Sequence, residues 1–314
     1  MNMHTPPETP RPSGSAPSEG PICLLVNPKS GRNSRDRAAI EAAGEVLGAQ
    51  AHICEWKPDR PLRESIRSDA SLVVSAGGDG TTCAVASEML GTGIPMAVLP
   101  LGTFNFFARG LGYSEEPEEA ARQILEGQAR DIRIGTVNGQ PFLNNASLGI
   151  YPTILRERES VYKRWGRRRI AAHWSVLRTF LKFKRPWEVT IDLGDGPRKR
   201  RTALIFVGRS AYQLERFGLK GVKAISDDKF AVLVAKAETR WDLFKLTARL
   251  TLRRIEEGRD YDFYQVPRMT LEVHKRRRVL IAYDGEKRWE EGPISFEMSR
   301  APLRIVLPQA HEAT

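Results

Sequence analysis

Cysteine is scarce. The three present, Cys23, Cys54 and Cys83, are odd in number and share no metal-ligand spacing. Neither a disulfide framework nor a zinc site is expected, and the expected compartment is a reducing cytoplasm. Long apolar runs are missing: no stretch approaches the roughly 20 apolar residues needed to span a bilayer, so a chain integral to the membrane is not expected. Residues 1–20 lack a basic start followed by an apolar core, and no secretory signal is expected there. Two familiar phosphate-binding signatures are also absent, G-x-x-x-x-G-K-[ST] and G-x-G-x-x-G. Acidic residues are in deficit. There are 38 of them against 49 Lys and Arg, a formal net charge of +11. Such a field favours polyanions: nucleic acid, an anionic membrane surface or phosphorylated substrates. No zinc spacing, RNP-type aromatic motif or clear helix-turn-helix accompanies the charge, so nucleic acid is not an expected partner.

What is present is ordinary in bulk and ordered in pattern. The chain has 314 residues, 41% hydrophobic and 28% charged, the size of about two domains. Residues 1–20 contain five prolines with Ser, Gly and Thr and read as a disordered tail. From Ile22 the first half alternates apolar runs with helical patterns. Strands are expected at Ile22–Val26, Ala51–Glu55, 72–76 and 95–99, and helices at Ser34–Leu47, 62–68 and 81–90. Alternation of this kind implies an α/β unit with a mainly parallel sheet. After about residue 130 the pattern becomes mostly β. A hairpin is expected from 130–137 and 141–146 around Asn138-Gly139, and seven further strands from 188 to 307 imply a sandwich or open barrel. Helical stretches at 162–183 and 241–255 interrupt it.

Gly77-Gly78-Asp79-Gly80-Thr81 lies between a buried-type strand and a helix. Glycines there let the backbone approach a ligand, and the helix N-terminus offers unpaired N–H groups to an anion. Asn27-Pro28-Lys29-Ser30-Gly31 follows the first strand, and Pro100-Leu101-Gly102-Thr103-Phe104-Asn105 follows the fourth. In a parallel sheet these three loops share one edge. Lys29 brings a cation to it, and Thr103 and Asn105 bring neutral donors. A nucleotide phosphate site is expected in that crevice. Asp284-Gly285-Glu286 reads first as a hairpin corner, yet phosphorylation of a hydroxyl needs a carboxylate to orient or deprotonate the alcohol. Asp227-Asp228 reads as a solvated turn or as a divalent-cation site.

These motifs, with Phe142-Leu143-Asn144-Asn145 and Gly149, resemble the diacylglycerol kinase catalytic-domain family, which includes bacterial lipid kinases and the sphingosine kinases. They occur in the family's order over about residues 22–307. The resemblance implies an α/β N-terminal domain with a mainly parallel sheet, like those of phosphofructokinases and NAD kinases. A mostly β, sandwich-like C-terminal domain would follow. The expected boundaries are a tail at 1–20, an ATP-binding domain at 21–129 and a β-rich lipid-substrate domain at 130–302. A strand and tail at 303–314 come last, the strand often packing back on the first domain in this family. ATP would lie on Asn27, Pro28, Lys29, Ser30 and Gly31, on Gly77, Gly78, Asp79, Gly80, Thr81, Thr82 and Cys83, and on Thr103 and Asn105. Glu286 takes the proton-acceptor role, with Asp284 beside it. Asp79 would help to position Mg²⁺–ATP. A structural Mg²⁺ would fall on Asp228 with the main-chain oxygens of Ile225 and Phe230. The sequence departs from the family pattern in three places. Phe106 stands where Asp is commonest, Lys229 stands where Gly usually follows the Asp pair, and no Thr follows the second strand.

The expected activity is ATP-dependent phosphorylation of a membrane-lipid hydroxyl, diacylglycerol being the leading acceptor. The alternatives are a sphingoid or other lipid alcohol, or a non-catalytic nucleotide- or lipid-binding protein, the last motivated by Phe106. Arg156, Arg158, Lys163, Arg164, Arg167, Arg168 and Arg169 precede a helical pattern carrying Trp174 and Phe180. That combination reads either as a membrane-surface element or as a packed helix with a solvated basic end. Arg198–Arg201 and Lys275–Arg278 read as basic hairpin turns. The expected location is cytoplasmic, peripheral on the inner face of an anionic membrane; a homodimer is left open.

Overall fold

The computed structural model describes residues 20–27, 34–57, 59–155 and 186–309. Residues 1–19 of the expected tail at 1–20, the loop residues Pro28, Lys29, Ser30 and Gly31, and the basic cluster with its helix at 162–183 lie outside the described residues.

Three six-stranded sheets organise the chain. The first runs β2 (Ala51–Glu55), β1 (Ile22–Val26), β3 (Leu72–Gly77), β4 (Met96–Pro100), β18 (Leu303–Leu307) and β5 (Gln128–Ile132). All neighbours are parallel except β18 and β5. β1, β3 and β4 are buried along their whole length, because helices cover both faces of a parallel sheet and every side chain needs to be apolar. That is why they read as continuous apolar runs. α1 (Ser34–Leu47), α2 (Asp79–Met89) and α4 (Pro117–Glu126) supply buried residues such as Ile40, Val85 and Ile124 to this core.

The other two sheets are antiparallel and face each other. One runs β10 (Pro197–Thr202), β9 (Trp187–Asp192), β14 (Arg268–Val273), β17 (Ile294–Met298), β6 (Gly135–Val137) and β7 (Gln140–Phe142). Its partner runs β13 (Tyr261–Val266), β12 (Phe230–Ala235), β11 (Leu204–Gly208), β8 (Asn145–Gly149), β15 (Arg278–Tyr283) and β16 (Glu286–Glu291). Phe142 packs on Phe230 and Phe296 at the centre, with ring centroids 6.0 and 6.4 Å apart. The sandwich-like second unit expected from the pattern is therefore present. β11 and β12 serve two cores at once. Ile205, Val207, Val232 and Val234 enter the sandwich, while Leu204, Phe206, Leu233 and Ala235 line the opposite side, as the two-residue period of a strand requires.

The chain crosses between the α/β unit and the sandwich at Arg133–Ile134 and again at Ser299, and the two crossings are tied together. Ser299 N–H donates to Ile134 O at 2.8 Å, Ile134 N–H to Ser299 Oγ at 3.2 Å, and Arg133 Nε–H to Ser299 O at 3.1 Å.

Several local expectations change. The 130–137 run divides between two sheets, so the hairpin at Asn138-Gly139 is only β6 and β7; both turn residues have positive φ, 47° and 79°, which suits a two-residue hairpin loop. Leu62–Ser65 is a single 3₁₀ turn rather than a helix to 68. α2 starts at Asp79, two residues before the expected start. Arg198–Arg201 lies within the edge strand β10 rather than in a turn; charged edges resist pairing with other chains. α3 (Phe106–Gly110), α4, α5 (Ala211–Arg216) and α6 (Val222–Ser226) are not among the expected elements. The α4 sequence nevertheless carries the signs, with Pro at N1 and Glu118 and Glu119 in its first turn. α7 (Arg240–Thr251) matches the expected helix at 241–255 closely, and Thr239 and Asp242 form a reciprocal capping box at its start.

No helix among the described residues is long and apolar enough to cross a membrane. All three thiols are free. The neighbouring Cys23 thiol and the positive charge of Arg67 pull the Cys54 thiol down to about 7, while Cys23 is pushed up. Burial pushes Cys83 up as well. Thiolates are the reactive form. Iodoacetamide at neutral pH should therefore label Cys54 first, with a rate that climbs as pH passes through 7. Peptide mapping by mass spectrometry checks this, and faster labelling of Cys23 or Cys83 refutes the assigned β1–β2 environment.

Candidate active site

The loops after β3 and β4 meet where the sequence places a phosphate. They touch backbone to backbone: a Cβ on Gly102 would lie 2.5 Å from Gly78 Cα, so only glycine permits this approach. Leu101 N–H donates to Gly77 O at 3.1 Å. Gly78 caps α2, and Gly80 lies exposed in its first turn, with no atom within 4 Å of the position a Cβ would take. Thr103, next to Gly102, is exposed as well.

Other residues expected to hold ATP turn their side chains inward. Thr81 Oγ1 accepts from Asn27 Nδ2 at 3.2 Å. Thr82 is buried and pairs with Ser75 at 3.4 Å between hydroxyl oxygens. Cys83 donates to Pro141 O at 3.7 Å. Asn105 is buried at φ 50° and folds onto its own loop, accepting from Gly102 N–H and donating to Gly102 O, both at 2.9 Å. These four side chains shape the loops from behind.

The two acids on the cleft serve opposite units. Asp79 accepts from the main-chain N–H groups of Phe106 (3.2 Å) and Phe107 (3.1 Å), the orphan donors that open α3. Asp284 begins a two-residue hairpin loop between β15 and β16, with φ 46° at Asp284 and 85° at Gly285. Its carboxylate accepts from three consecutive main-chain donors, Leu143 at 2.6 Å, Asn144 at 2.8 Å and Asn145 at 3.2 Å. Burial pushes the Asp284 carboxyl above its ordinary range against the pull of those three N–H groups. Asn144 joins the two acids: its main chain binds Asp284 and its Nδ2 donates to Asp79 Oδ1 at 3.2 Å. The sequence motif contained Asn144 but gave no hint of this bridge. Its Oδ1 is buried without a partner among the described residues. Glu286, the expected proton acceptor, is exposed at the start of β16, paired with Tyr283.

From these acids a cavity of about 640 Å³ runs into the β-rich unit. Asp79, Thr103, Asn144, Asn145, Gln213, Asp284 and Gly285 mark its polar side. The rest is apolar, formed by Leu204, Phe206, Leu233 and Ala235 from the sheet and by Leu246 and Leu250 from α7. Glu286 does not line it but follows Gly285, which does. Phe106 lies in its wall, stacked on Phe104 at 5.5 Å and tilted against Phe217 at 6.1 Å and Tyr212 at 6.3 Å. The residue that departs from the family pattern thus packs α3 against α5. A cavity wall is assembled only by folding, which is why apolar residues scattered from 204 to 255 gave no signal in sequence.

The expected Mg²⁺ ligands do not fit a divalent ion. Asp228 pairs with the Arg209 guanidinium and, at 3.7 Å, with Arg133. Ile225 O already accepts from Arg209 Nη1 at 3.1 Å and from Asp228 N–H at 3.1 Å. Phe230 sits in the β12 ladder opposite Val266. Among the described residues no group of three His, Cys, Asp or Glu side chains could hold a metal.

Comparison with known proteins agrees with this architecture. Residues 21–137 match the model of the diacylglycerol kinase catalytic domain. A protein of Pseudomonas aeruginosa named "Probable lipid kinase YegS-like" is 38% identical over 133 residues, 41% of this chain and 44% of that protein. The diacylglycerol kinase of Bacillus subtilis is 35% identical over 135 residues, 40% of this chain and 45% of that protein. The matched stretch thus spans less than half the length of either. A YegS-like relative from Chromohalobacter salexigens is 26% identical over 283 residues, 87% of this chain and 89% of that protein. A crystal structure of a diacylglycerol kinase from Bacillus anthracis superposes with a TM-score of 0.65 at 18% identity, covering 92% of this chain and 97% of that one; it shares the fold. Residues 21–137 thus match the diacylglycerol kinase catalytic domain, and the chain as a whole is similar to the YegS-like lipid kinases.

Proposed function

We propose that this protein is an ATP-dependent lipid kinase that moves the γ-phosphoryl group of ATP to the hydroxyl of a membrane lipid, with diacylglycerol as the leading acceptor. One observation carries the reading: an apolar cavity runs from the glycine loops into the β-rich unit, and the carboxylates that line it among the described residues, Asp79 and Asp284, stand at the polar side. A hydrocarbon chain suits the apolar part, and a hydroxyl suits the polar side.

In the proposed reaction the nucleotide phosphates lie on the Gly77–Gly80 turn and the α2 N-terminus, whose unpaired N–H groups favour an anion. The lipid oxygen attacks the γ-phosphorus, its proton passes to the Glu286 carboxylate, and the bond to the β,γ-bridging oxygen breaks, releasing ADP. Asp284 is a positioning residue. It holds the 143–145 segment, which carries the polar side of the cavity. Mg²⁺ bound with the nucleotide would neutralise phosphate charge, and Asp79, whose Oδ2 accepts one hydrogen bond and keeps a further lone pair, is the residue placed to hold it. The substrate stays in a bilayer, so the protein works at a membrane surface, on the cytoplasmic face in this reading.

Purified protein with labelled ATP, Mg²⁺ and a lipid panel in mixed micelles tests the reading. Transfer to diacylglycerol supports it, transfer only to a sphingoid base or another alcohol moves the acceptor, and no transfer to any lipid refutes it. A cavity-filling change separates the two sites. Leu246→Trp should weaken use of the lipid, seen as a KM for lipid raised about tenfold or more, the scale of one to two lost buried methylenes, while the KM for ATP stays constant. Equal effects on both substrates count against the cavity as the lipid site.

A further inference from the structure

We propose that Arg209 is a built-in cation that stands where the resemblance places a structural divalent ion, so that this chain needs no metal there. The oxygens around its guanidinium are those a hard cation would seek. Nη2 donates to Arg133 O at 2.8 Å and pairs with Asp228 Oδ1, and Nη1 donates to Ile225 O at 3.1 Å. The side chain is 11% exposed, so the contacts are largely sheltered from water. A guanidinium is permanently charged and carries five donors in a fixed plane, which lets it satisfy three acceptors on two separate segments. A divalent ion would have to displace it and then lie close to Arg133 as well, whose Nη1 is 3.7 Å from Asp228 Oδ2.

The surroundings are arranged for this side chain. Asp228 is held at φ 55°, with its N–H on Ile225 O. Arg209 follows the last residue of β11, and its own N–H donates to Asn144 O at 2.7 Å. The same residue therefore connects the crossing between units at Arg133, the end of α6 and the segment that joins Asp79 to Asp284. Where an ion would be exchangeable, this brace is covalent to the chain and insensitive to chelators.

Thermal unfolding of the full chain without nucleotide tests the proposal and does not depend on kinase activity. After EDTA treatment, the wild-type Tm should stay constant on titration with Mg²⁺ or Ca²⁺. Arg209→Ala removes the guanidinium from three oxygens. Its Tm should drop by several degrees, since Arg133 O and Ile225 O lose their charged donor and Asp228 keeps only Arg133 at 3.7 Å, and should recover saturably with either ion. Adding Asp228→Asn to it should abolish the recovery. A saturable ion-dependent rise in the wild-type Tm that Asp228→Asn removes would overturn the proposal. A folded Arg209→Ala protein as stable as wild type and indifferent to ions would overturn it equally. Should Arg209→Ala fail to fold, the wild-type titration and its Asp228→Asn control still decide. If the kinase reading alone were wrong, every one of these melts would be unaffected.

Discussion

Changing Glu286 to Gln should lower phosphoryl transfer about 10²–10⁴-fold, the usual worth of general-base help, and leave Tm and ATP affinity where they are. The amide has the shape of the carboxylate but cannot take a proton. Glu286 is exposed at the start of β16, so the fold loses little when its charge goes. Asp284→Asn makes the contrast. Three main-chain N–H groups converge on that carboxylate, and an amide offers one oxygen plus two donors aimed at donors. That variant should lose about 1–3 kcal/mol of stability along with activity, because the 143–145 segment loses its anchor. Melting curves, ATP titration and labelled-phosphate transfer on both variants separate the roles. A drop under tenfold in Glu286→Gln removes Glu286 as the base.

Gly80→Val should abolish nucleotide binding at accessible concentrations, a loss on the order of 100-fold or more, equivalent to about 2.7 kcal/mol. The fold should tolerate it. A Cβ at Gly80 meets no protein atom within 4 Å, and valine is no worse a helix residue than glycine. The space it enters is the crevice in front of the α2 N-terminus, where the proposed phosphates lie. Gly102→Ala should fail by another route, since its Cβ would lie 2.5 Å from Gly78 Cα and 2.7 Å from Asn105 Oδ1. It should lower Tm before it affects binding. Titration of a fluorescent ATP analogue, with melting curves alongside, distinguishes the two. Unchanged affinity in folded Gly80→Val would remove the phosphate site from the Gly77–Gly80 turn.

Sequence and structure contribute differently to this picture, and the difference is physical. The strands of the parallel sheet were readable because burial on both faces demands an unbroken apolar run: Ile22–Val26 has the bounds expected of it. The glycine loops were readable because close backbone approach tolerates no Cβ, and Gly78 and Gly102 meet that demand directly. The Asp-Gly turn at Asp284 was readable as a hairpin corner because few residues adopt positive φ at both positions. All three are local constraints, written where they act.

Contacts across long separations had no such signature. That Asp79 reaches the N-terminus of α3, 27 residues on, and that Asn144 binds it from the other unit, follow from how the two units meet. Which strands join one sheet is likewise a tertiary matter. β18 pairs with β4 and β5 on the same apolar pattern that would suit the sandwich. An aspartate beside a divalent ion and an aspartate beside an arginine look alike in sequence. Only the fold, by carrying Arg209 from the end of β11 onto Asp228 and Ile225 O, decides which cation the site holds, because a charge is paired by position in space and not by position in the chain.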